Sequence, residues 1–425
     1  MEGNEMERYR AGIKEYIQDS LMAYAGVHFG KVRLYDGPMF LIHSLTEDSL
    51  RLHPLFKSLL KKLGKRSDVI VRMAINHDLI SPIRVGELRG PQGVCGAVVA
   101  SPTATIPRLV LRQNGAVSSL KRAISLAGCL TRTNTIIGLG AMSASSLSLG
   151  KAVGTNDMVR PTTGHNSTVG WSALLILEGL SQSRMEPSES TVVVLGAGGN
   201  IGLSVSKLLL NSGVKRVIAV DSSSAKTERM VELQTYGQVE VVIAQDAKEI
   251  PRGDALFAAV SEPKPLFSSG DINQLSGYKV IVDDSFPQIL TESAYKGYTS
   301  LGGRYTMVVA THKDWYSTFE LPGRISGYDK VNDNYRHNHP LCQAEAIAAF
   351  LGYIEPLTGL ADETNALRAV KALLRAGFQP VFHGVDGGSR PVWRDVSRWI
   401  PNGVRFEDLK VPSYLVPSLM SMELG

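Results

Sequence analysis

Thr191-Val192-Val193-Val194-Leu195-Gly196-Ala197-Gly198-Gly199-Asn200-Ile201-Gly202 decides the fold of this chain. Residues 191–195 form a continuous apolar run, the pattern of a strand covered on both faces. A glycine turn follows directly. A helical rhythm then occupies 201–210, and a second strand is predicted over 216–220. Strand, turn, helix and strand make a βαβ unit of a parallel sheet. Gly196 permits the tight turn, and Gly198 lets the backbone approach a pyrophosphate. The helix start adds unpaired N–H groups that face such an anion. Gly196, Gly198, Gly199, Asn200, Ile201 and Gly202 are therefore candidate dinucleotide-binding residues. The spacing, G-x-G-G-x-x-G, puts Gly202 one place later than the commonest form. A glycine-rich turn that holds no ligand is the bland alternative.

Asp221 ends the second strand. A carboxylate there accepts the ribose hydroxyls of NAD and repels a 2′-phosphate. Ser222, Ser223, Ser224, Lys226 and Arg229 follow at once and could hold that phosphate if Asp221 points away. The cofactor is thus NADPH or NADH. Asp283 follows a further predicted strand, at the sheet edge where ligands bind; it reads as a residue beside the nicotinamide ribose or as a plain turn residue.

Working outward, strands are predicted over 239–244, 255–260, 279–282 and 306–309, so 187–312 reads as one Rossmann-like domain. Upstream, strands over 40–42, 69–73 and 94–99 alternate with helices after the caps Ser44, Thr46 and Glu47, over 109–128 and over 167–180. This gives a second α/β domain, 38–186. Helices over 341–351 and 364–376 form a C-terminal segment, 313–383, expected to pack between the domains. Residues 1–37 carry an amphipathic pattern (Ile13, Tyr16, Ile17, Leu21) suited to a partner subunit, and 384–425 is a C-terminal extension. The fold class is α/β: a Rossmann-like dinucleotide-binding domain plus a second α/β domain.

The chain has 425 residues, 44% apolar and 20% charged. That composition excludes a disordered, collagen-like or disulfide-stapled chain. Cys95, Cys129 and Cys342 are too few and scattered for a disulfide framework or a zinc cluster, and no metal is expected. The N-terminus lacks a basic-then-apolar leader and no stretch suits a bilayer, so a cytoplasmic protein without a membrane span is expected. The net charge of +5 comes without a basic run and suits an acidic or phosphorylated partner.

Cys342 lies in His339-Pro340-Leu341-Cys342-Gln343-Ala344-Glu345. Pro340 suits a helix start, which puts Cys342 in the first turn, where the helix end stabilises negative charge. His337 and His339 could add a positive neighbour. Both effects favour a thiolate, the nucleophile that attacks a thioester or aldehyde carbonyl. A small buried packing residue is the commoner fate of a free cysteine. Glu345, three residues on, shares the Cys342 face and could orient an imidazole. The polar stretch 160–168 precedes a helix, and Thr163, Gly164, His165 and Asn166 could line a substrate or nicotinamide site or merely cap that helix.

Several stretches carry a resemblance together. They are Phe40-Leu41-Ile42-His43-Ser44-Leu45-Thr46, Gly138-Leu139-Gly140-Ala141-Met142-Ser143, Thr162-Thr163-Gly164-His165-Asn166-Ser167-Thr168, the turn 196–202, Ile281-Val282-Asp283-Asp284-Ser285-Phe286-Pro287, Cys342-Gln343-Ala344-Glu345-Ala346 and Gly377-Phe378-Gln379-Pro380. In this order they resemble the motifs of the long-chain acyl-[acyl-carrier-protein] reductases of cyanobacteria, over roughly 38–383. The resemblance implies reduction of an acyl thioester to an aldehyde with NADPH, and an acyl group carried on Cys342. It implies an acyl carrier protein or acyl-coenzyme A as donor. His337 or His339, or neither, would move a proton, and backbone donors or side chains such as His165 and Asn166 would stabilise the oxyanion.

Departures fall at Asp221, where the family has a less acidic, arginine-bearing segment, at Gly164-His165-Asn166, and over 314–339. The acyl group is therefore open, and an aminoacyl-tRNA donor is the one nucleic-acid partner considered. Competing readings are a non-covalent NAD(P)-dependent dehydrogenase of the shikimate-dehydrogenase-like type and a non-catalytic dinucleotide-binding protein.

Overall fold

The computed structural model describes residues 34–44, 73, 75, 82–105, 108–109, 111, 113–132, 134–140, 142–151, 153, 159–262, 264–285, 288–319 and 337–380. The N-terminal amphipathic pattern, the helix expected through residue 60, Pro287 and the extension 384–425 lie outside them. Of the strand expected over 69–73 only Met73 is described, and it is helical.

The chain divides into two compact units, one within Met1–Gly164 and His312–Gly359, the other within His165–Thr311 and Leu360–Gly425. These cuts differ from the boundaries at 187, 313 and 384 that the sequence suggests. The helix beginning at residue 165 joins the dinucleotide unit, and the segment 313–383 is shared out at residue 360.

In chain order the elements begin with strands β1 (Met39–Ser44), β2 (Ile83–Gly90) and β3 (Gly93–Thr105). Helix α1 (Asn114–Cys129), β4 (Thr135–Leu139), α2 (Met142–Ser146) and β5 (Val159–Thr162) follow. Next come α3 (His165–Gln182), β6 (Thr191–Leu195), α4 (Asn200–Asn211), β7 (Arg216–Asp221) and β8 (Gln238–Ile243). Strands β9 (Ala255–Ala258) and β10 (Val280–Asp283), helix α5 (Glu292–Ser300), and strands β11 (Arg304–Met307) and β12 (Val309–Thr311) complete that run. The chain continues with β13 (Tyr316–Phe319), β14 (Asn338–Pro340), α6 (Leu341–Phe350), α7 (Glu363–Arg375) and β15 (Gln379–Pro380).

The first unit is built on the sheet β13-β2-β3-β1-β4-β5. Its β3-β1-β4-β5 half is parallel, and β2 and β13 add antiparallel strands beyond β3. Alternation along β1 sorts its side chains between two faces. Met39 and Leu41 join the core with Leu120 and Ile124 of α1. Phe40 and Ile42 face the other way, into a cluster with Val85, Leu88, Val98, Ala100 and Cys342.

The second unit is a fully parallel sheet in the order β11-β10-β9-β6-β7-β8. The order reverses between β6 and β9, the switch point of a Rossmann fold. Helix α3 is buried along almost its whole length and anchors to this unit at several points. A Cβ on Gly170 would lie 2.5 Å from Val370 Cγ2 of α7, and one on Gly179 would lie 2.6 Å from Val280 Cγ1 of β10. Trp171 Nε1 donates to the Val309 carbonyl at 3.0 Å. Close helix packing through these two glycines is why α3 leaves the domain to which its sequence position assigns it.

Candidate functional site

Pro340, with extended backbone, caps α6, so Cys342 is the second residue of the helix. Two glycines let it sit where it does. Gly164 has φ +70, and a Cβ there would lie 2.2 Å from Cys342 Cα. A Cβ on Gly138 of β4 would lie 2.5 Å from the Cys342 carbonyl oxygen. The start of α6 is thereby seated at the carboxyl ends of β4 and β5, the edge where parallel sheets bind ligands. Cys342 is 9% exposed. Its apolar neighbours Phe40, Ile42 and Val98 disfavour a charge, while the helix N-terminus favours a negative one. Glu345 is fully buried, and its carboxylate accepts a hydrogen bond from the Thr162 hydroxyl.

The two histidines before α6 each have local partners. His339 is fully buried, with Nε2 3.0 Å from the Trp315 carbonyl and Nδ1 2.9 Å from the side-chain amide of Gln343. Burial pushes it down to about 4, so the ring is neutral and gives the thiol no positive neighbour. Its two hydrogen bonds hold the ring between Trp315 and Gln343. His337 Nδ1 lies 2.9 Å from the His312 carbonyl, and its ring packs against Tyr316. Gln343, which the sequence did not single out, ties His339 to Ser317. The other two cysteines are different. Burial pushes the Cys95 thiol up to about 11 and raises Cys129.

The polar stretch 160–168 is split between the units. Thr163 is bound to Leu357 through its backbone N–H (3.0 Å), and Gly164 serves the approach of Cys342, so both lie in the first unit. His165 and Asn166 open α3 in the second unit. Asn200 Nδ2 lies 3.2 Å from His165 Nδ1, and Asn166 Oδ1 accepts from the Asp362 N–H at 3.0 Å. These bonds join α3 to α4 and to the start of α7.

In the second unit Gly196 has φ +78, and a Cβ there would lie 2.4 Å from the Ala259 carbonyl; one on Gly202 would lie 2.3 Å from the Gly196 carbonyl. The N–H groups of Gly196, Ala197, Gly198 and Gly199 are spent inside the fold. Those of Asn200, Ile201 and Gly202 have no acceptor among the described residues. Three such donors at a helix start fit one face of a pyrophosphate.

Asp221 is not the open carboxylate that its position implies. Oδ2 accepts from Gly198 N (3.2 Å) and Lys226 Nζ (3.0 Å), and Oδ1 from Ser223 N (3.1 Å) and Lys226 Nζ (3.1 Å). Ser222 is exposed, its carbonyl held by Gln245 Nε2 at 2.5 Å. Asp283 is also committed. It accepts from Ser285 N, Ile289 N and the Tyr305 hydroxyl at 2.8, 2.8 and 2.6 Å. It is fully buried and pins the loop after β10. Burial raises its pKa to about 6.

Among the described residues no helix is long and apolar enough to cross a membrane, and no group of three His, Cys, Asp or Glu could hold a metal ion.

Residues 179–296, a stretch inside the second unit, match the family model of shikimate / quinate 5-dehydrogenase. No curated protein matches the chain. Solved structures that resemble it include Escherichia coli K-12 YhdH with bound NADPH, at 17% identity and TM-score 0.24, with 33% of this chain and 43% of that chain covered. The Mycobacterium tuberculosis shikimate dehydrogenase matches at 18% identity and TM-score 0.24, with 36% and 51% covered. A shikimate 5-dehydrogenase from Mycobacterium fortuitum matches at 15% identity and TM-score 0.27, with 52% and 62% covered. This chain spans less than two thirds of each of these three proteins. At these scores the likenesses carry no argument about activity.

Proposed function

We propose that the chain is an NAD(P)H-dependent oxidoreductase that reduces an acyl thioester to an aldehyde through an acyl-Cys342 intermediate. The observation that carries the proposal is the seating of Cys342: a thiol in the first turn of α6, set at the carboxyl edge of a parallel sheet by glycines at 138 and 164. The apolar neighbours of Cys342 suit an acyl chain better than an aminoacyl group, which favours an acyl carrier protein or coenzyme A as donor over a tRNA.

The thiol gives up its proton, and Sγ attacks the thioester carbonyl. A carbon–sulfur bond to Cys342 forms, the bond to the carrier sulfur breaks, and the carrier leaves as a thiol after taking up a proton. The helix start stabilises charge on Sγ before attack and again when it leaves. The N–H groups of Asn200, Ile201 and Gly202 would hold the pyrophosphate of a nicotinamide dinucleotide, which would supply a hydride to the acyl carbon. The oxyanion so formed then collapses to the aldehyde, the carbon–sulfur bond to Cys342 breaks, and Sγ takes up a proton to return to the thiol. Buried Glu345 and Thr162 brace the α6 start from behind, and water carries the protons.

The match to the shikimate dehydrogenase family model favours a second reading, a non-covalent dehydrogenase of a carbonyl substrate. The match covers the dinucleotide unit alone and does not reach Cys342. Nicotinamide oxidation by wild type and Cys342→Ala, with acyl-coenzyme A and acyl-carrier thioesters of several lengths, separates the two. The covalent reading predicts thioester reduction that falls roughly 1,000-fold or more in the variant, with dinucleotide binding unchanged. Turnover of a ketone by both proteins, with no thioester reduction by either, would establish the second reading.

A further inference from the structure

The thiol of Cys342 belongs to a cluster built on three strands of the first unit. Phe40 and Ile42 of β1 pair with Val98 and Ala100 of β3, and Val85 and Leu88 of β2 complete it. None of these six side chains is more than 4% exposed. The ring of Phe40 reaches past the end of β4, where a Cβ on Gly140 would lie 3.1 Å from Phe40 Cζ. Backbone and a polar network stand around the rest of the cysteine. Its carbonyl lies against Gly138, and its Cα and Cβ lie against Gly164. Gln343, the next residue, is 2% exposed; its amide donates to Ser317 Oγ at 3.1 Å and lies 2.9 Å from His339 Nδ1. A channel able to take an alkyl chain is wider than a water molecule, so the side chains along it stay exposed to solvent. The apolar cluster beside Cys342 is instead packed as a core is.

We infer that the acyl group carried by Cys342 is short, acetyl to butyryl in size, and that Phe40 and Ile42 set this limit. The inference rests on the acyl-cysteine reading above and names its substrate class. In the step concerned, Sγ bonds to the acyl carbon and coenzyme A leaves as the free thiol. In an open apolar channel each added methylene strengthens binding by a factor of about four. Here the first carbons meet the apolar side chains around Sγ. Further methylenes stay in water and gain nothing, or enter the cluster at the cost of overpacking it.

The test is the rate at which Cys342 in the full chain is acylated by acetyl-, butyryl-, octanoyl- and palmitoyl-coenzyme A, read by intact-protein mass spectrometry without nicotinamide. Each thioester is kept below its micelle concentration. Wild type should react with the two short thioesters at least tenfold faster than with the two long ones. Phe40→Ala opens space beside the thiol and should raise the octanoyl-to-butyryl ratio at least tenfold. Ile42→Val trims one methylene from the same cluster with less risk to the fold, and should raise the ratio by a factor of about four. Wild-type rates that are equal for all four thioesters, or that rise with chain length, would overturn the inference and leave the acyl-cysteine reading standing. An unchanged ratio in whichever of the two variants folds would also overturn it. Absence of an adduct from every thioester would remove the acyl-cysteine reading itself.

Discussion

The two units use glycine at the carboxyl edge of a parallel sheet for different ends. In the second unit Gly196 and Gly202 clear room for the turn to fold against its own neighbourhood, a carbonyl in each case. The helix that follows is left with three N–H groups that have no acceptor among the described residues. In the first unit Gly138 and Gly164 clear room for the start of another helix, one that arrives from far along the chain and carries Cys342. One arrangement leaves N–H groups at a helix start; the other seats a thiol at one. The difference shows that a glycine's meaning lies in what its missing Cβ would strike, not in its spacing.

Gly164→Ala presses this contrast hardest. It combines φ +70 with a Cβ 2.2 Å from Cys342 Cα, and a loss of roughly 4 kcal/mol is expected. Gly213→Ala is the control, since φ is +88 there but nothing lies within 4 Å; it should cost only about 1 kcal/mol. Denaturant titration of both variants measures the gap, and equal losses would show that strain alone, without the approach to Cys342, explains Gly164.

The units should also respond to pH with opposite signs. His339 in the first unit is lowered from 6.5 to about 4, so its contribution is present above pH 6.5 and is lost as pH falls toward 4. Asp283 in the second is raised from 3.8 to about 6, so its contribution is present below 3.8 and is lost as pH rises through 6. Each is worth about 3 kcal/mol across its window. Between pH 4.5 and 6.5, His339→Asn should flatten the rise of stability with pH, and Asp283→Asn should steepen it. Unfolding curves whose slopes shift in the same direction for both variants would remove this contrast.

Much of the second unit is legible because its signals are contiguous. An apolar strand, a glycine turn and a helix follow one another, and the parallel sheet follows from their repetition. The pairing of Asp221 with Lys226 is not legible, because their spacing does not reveal that the lysine folds back over the carboxylate. The first unit is assembled from distant pieces. Cys342 could be noticed from its helix start, but its partners Gly138 and Gly164 stand far away in sequence. His337 and His339 looked like neighbours of the thiol because they precede it, whereas local hydrogen bonds commit them elsewhere. The buried α3, apolar on nearly every side, gave no sequence sign of which unit it would join.

The smallest expected effect concerns that helix. Asn166→Ala removes the acceptor for the Asp362 N–H and should cost about 1 kcal/mol, with acyl transfer to Cys342 unaffected. Unchanged stability with lost acyl transfer would instead return Asn166 to the role of oxyanion donor.

The central claim is that Cys342 accepts an acyl group. Intact-protein mass spectrometry with peptide mapping, after incubation with acyl-coenzyme A and acyl-carrier thioesters but no nicotinamide, tests it most directly. The account predicts one acyl adduct, on the Cys342 peptide, that disappears when NADPH is added. An unmodified Cys342 across all the thioesters, in protein that binds NADPH normally, would contradict it.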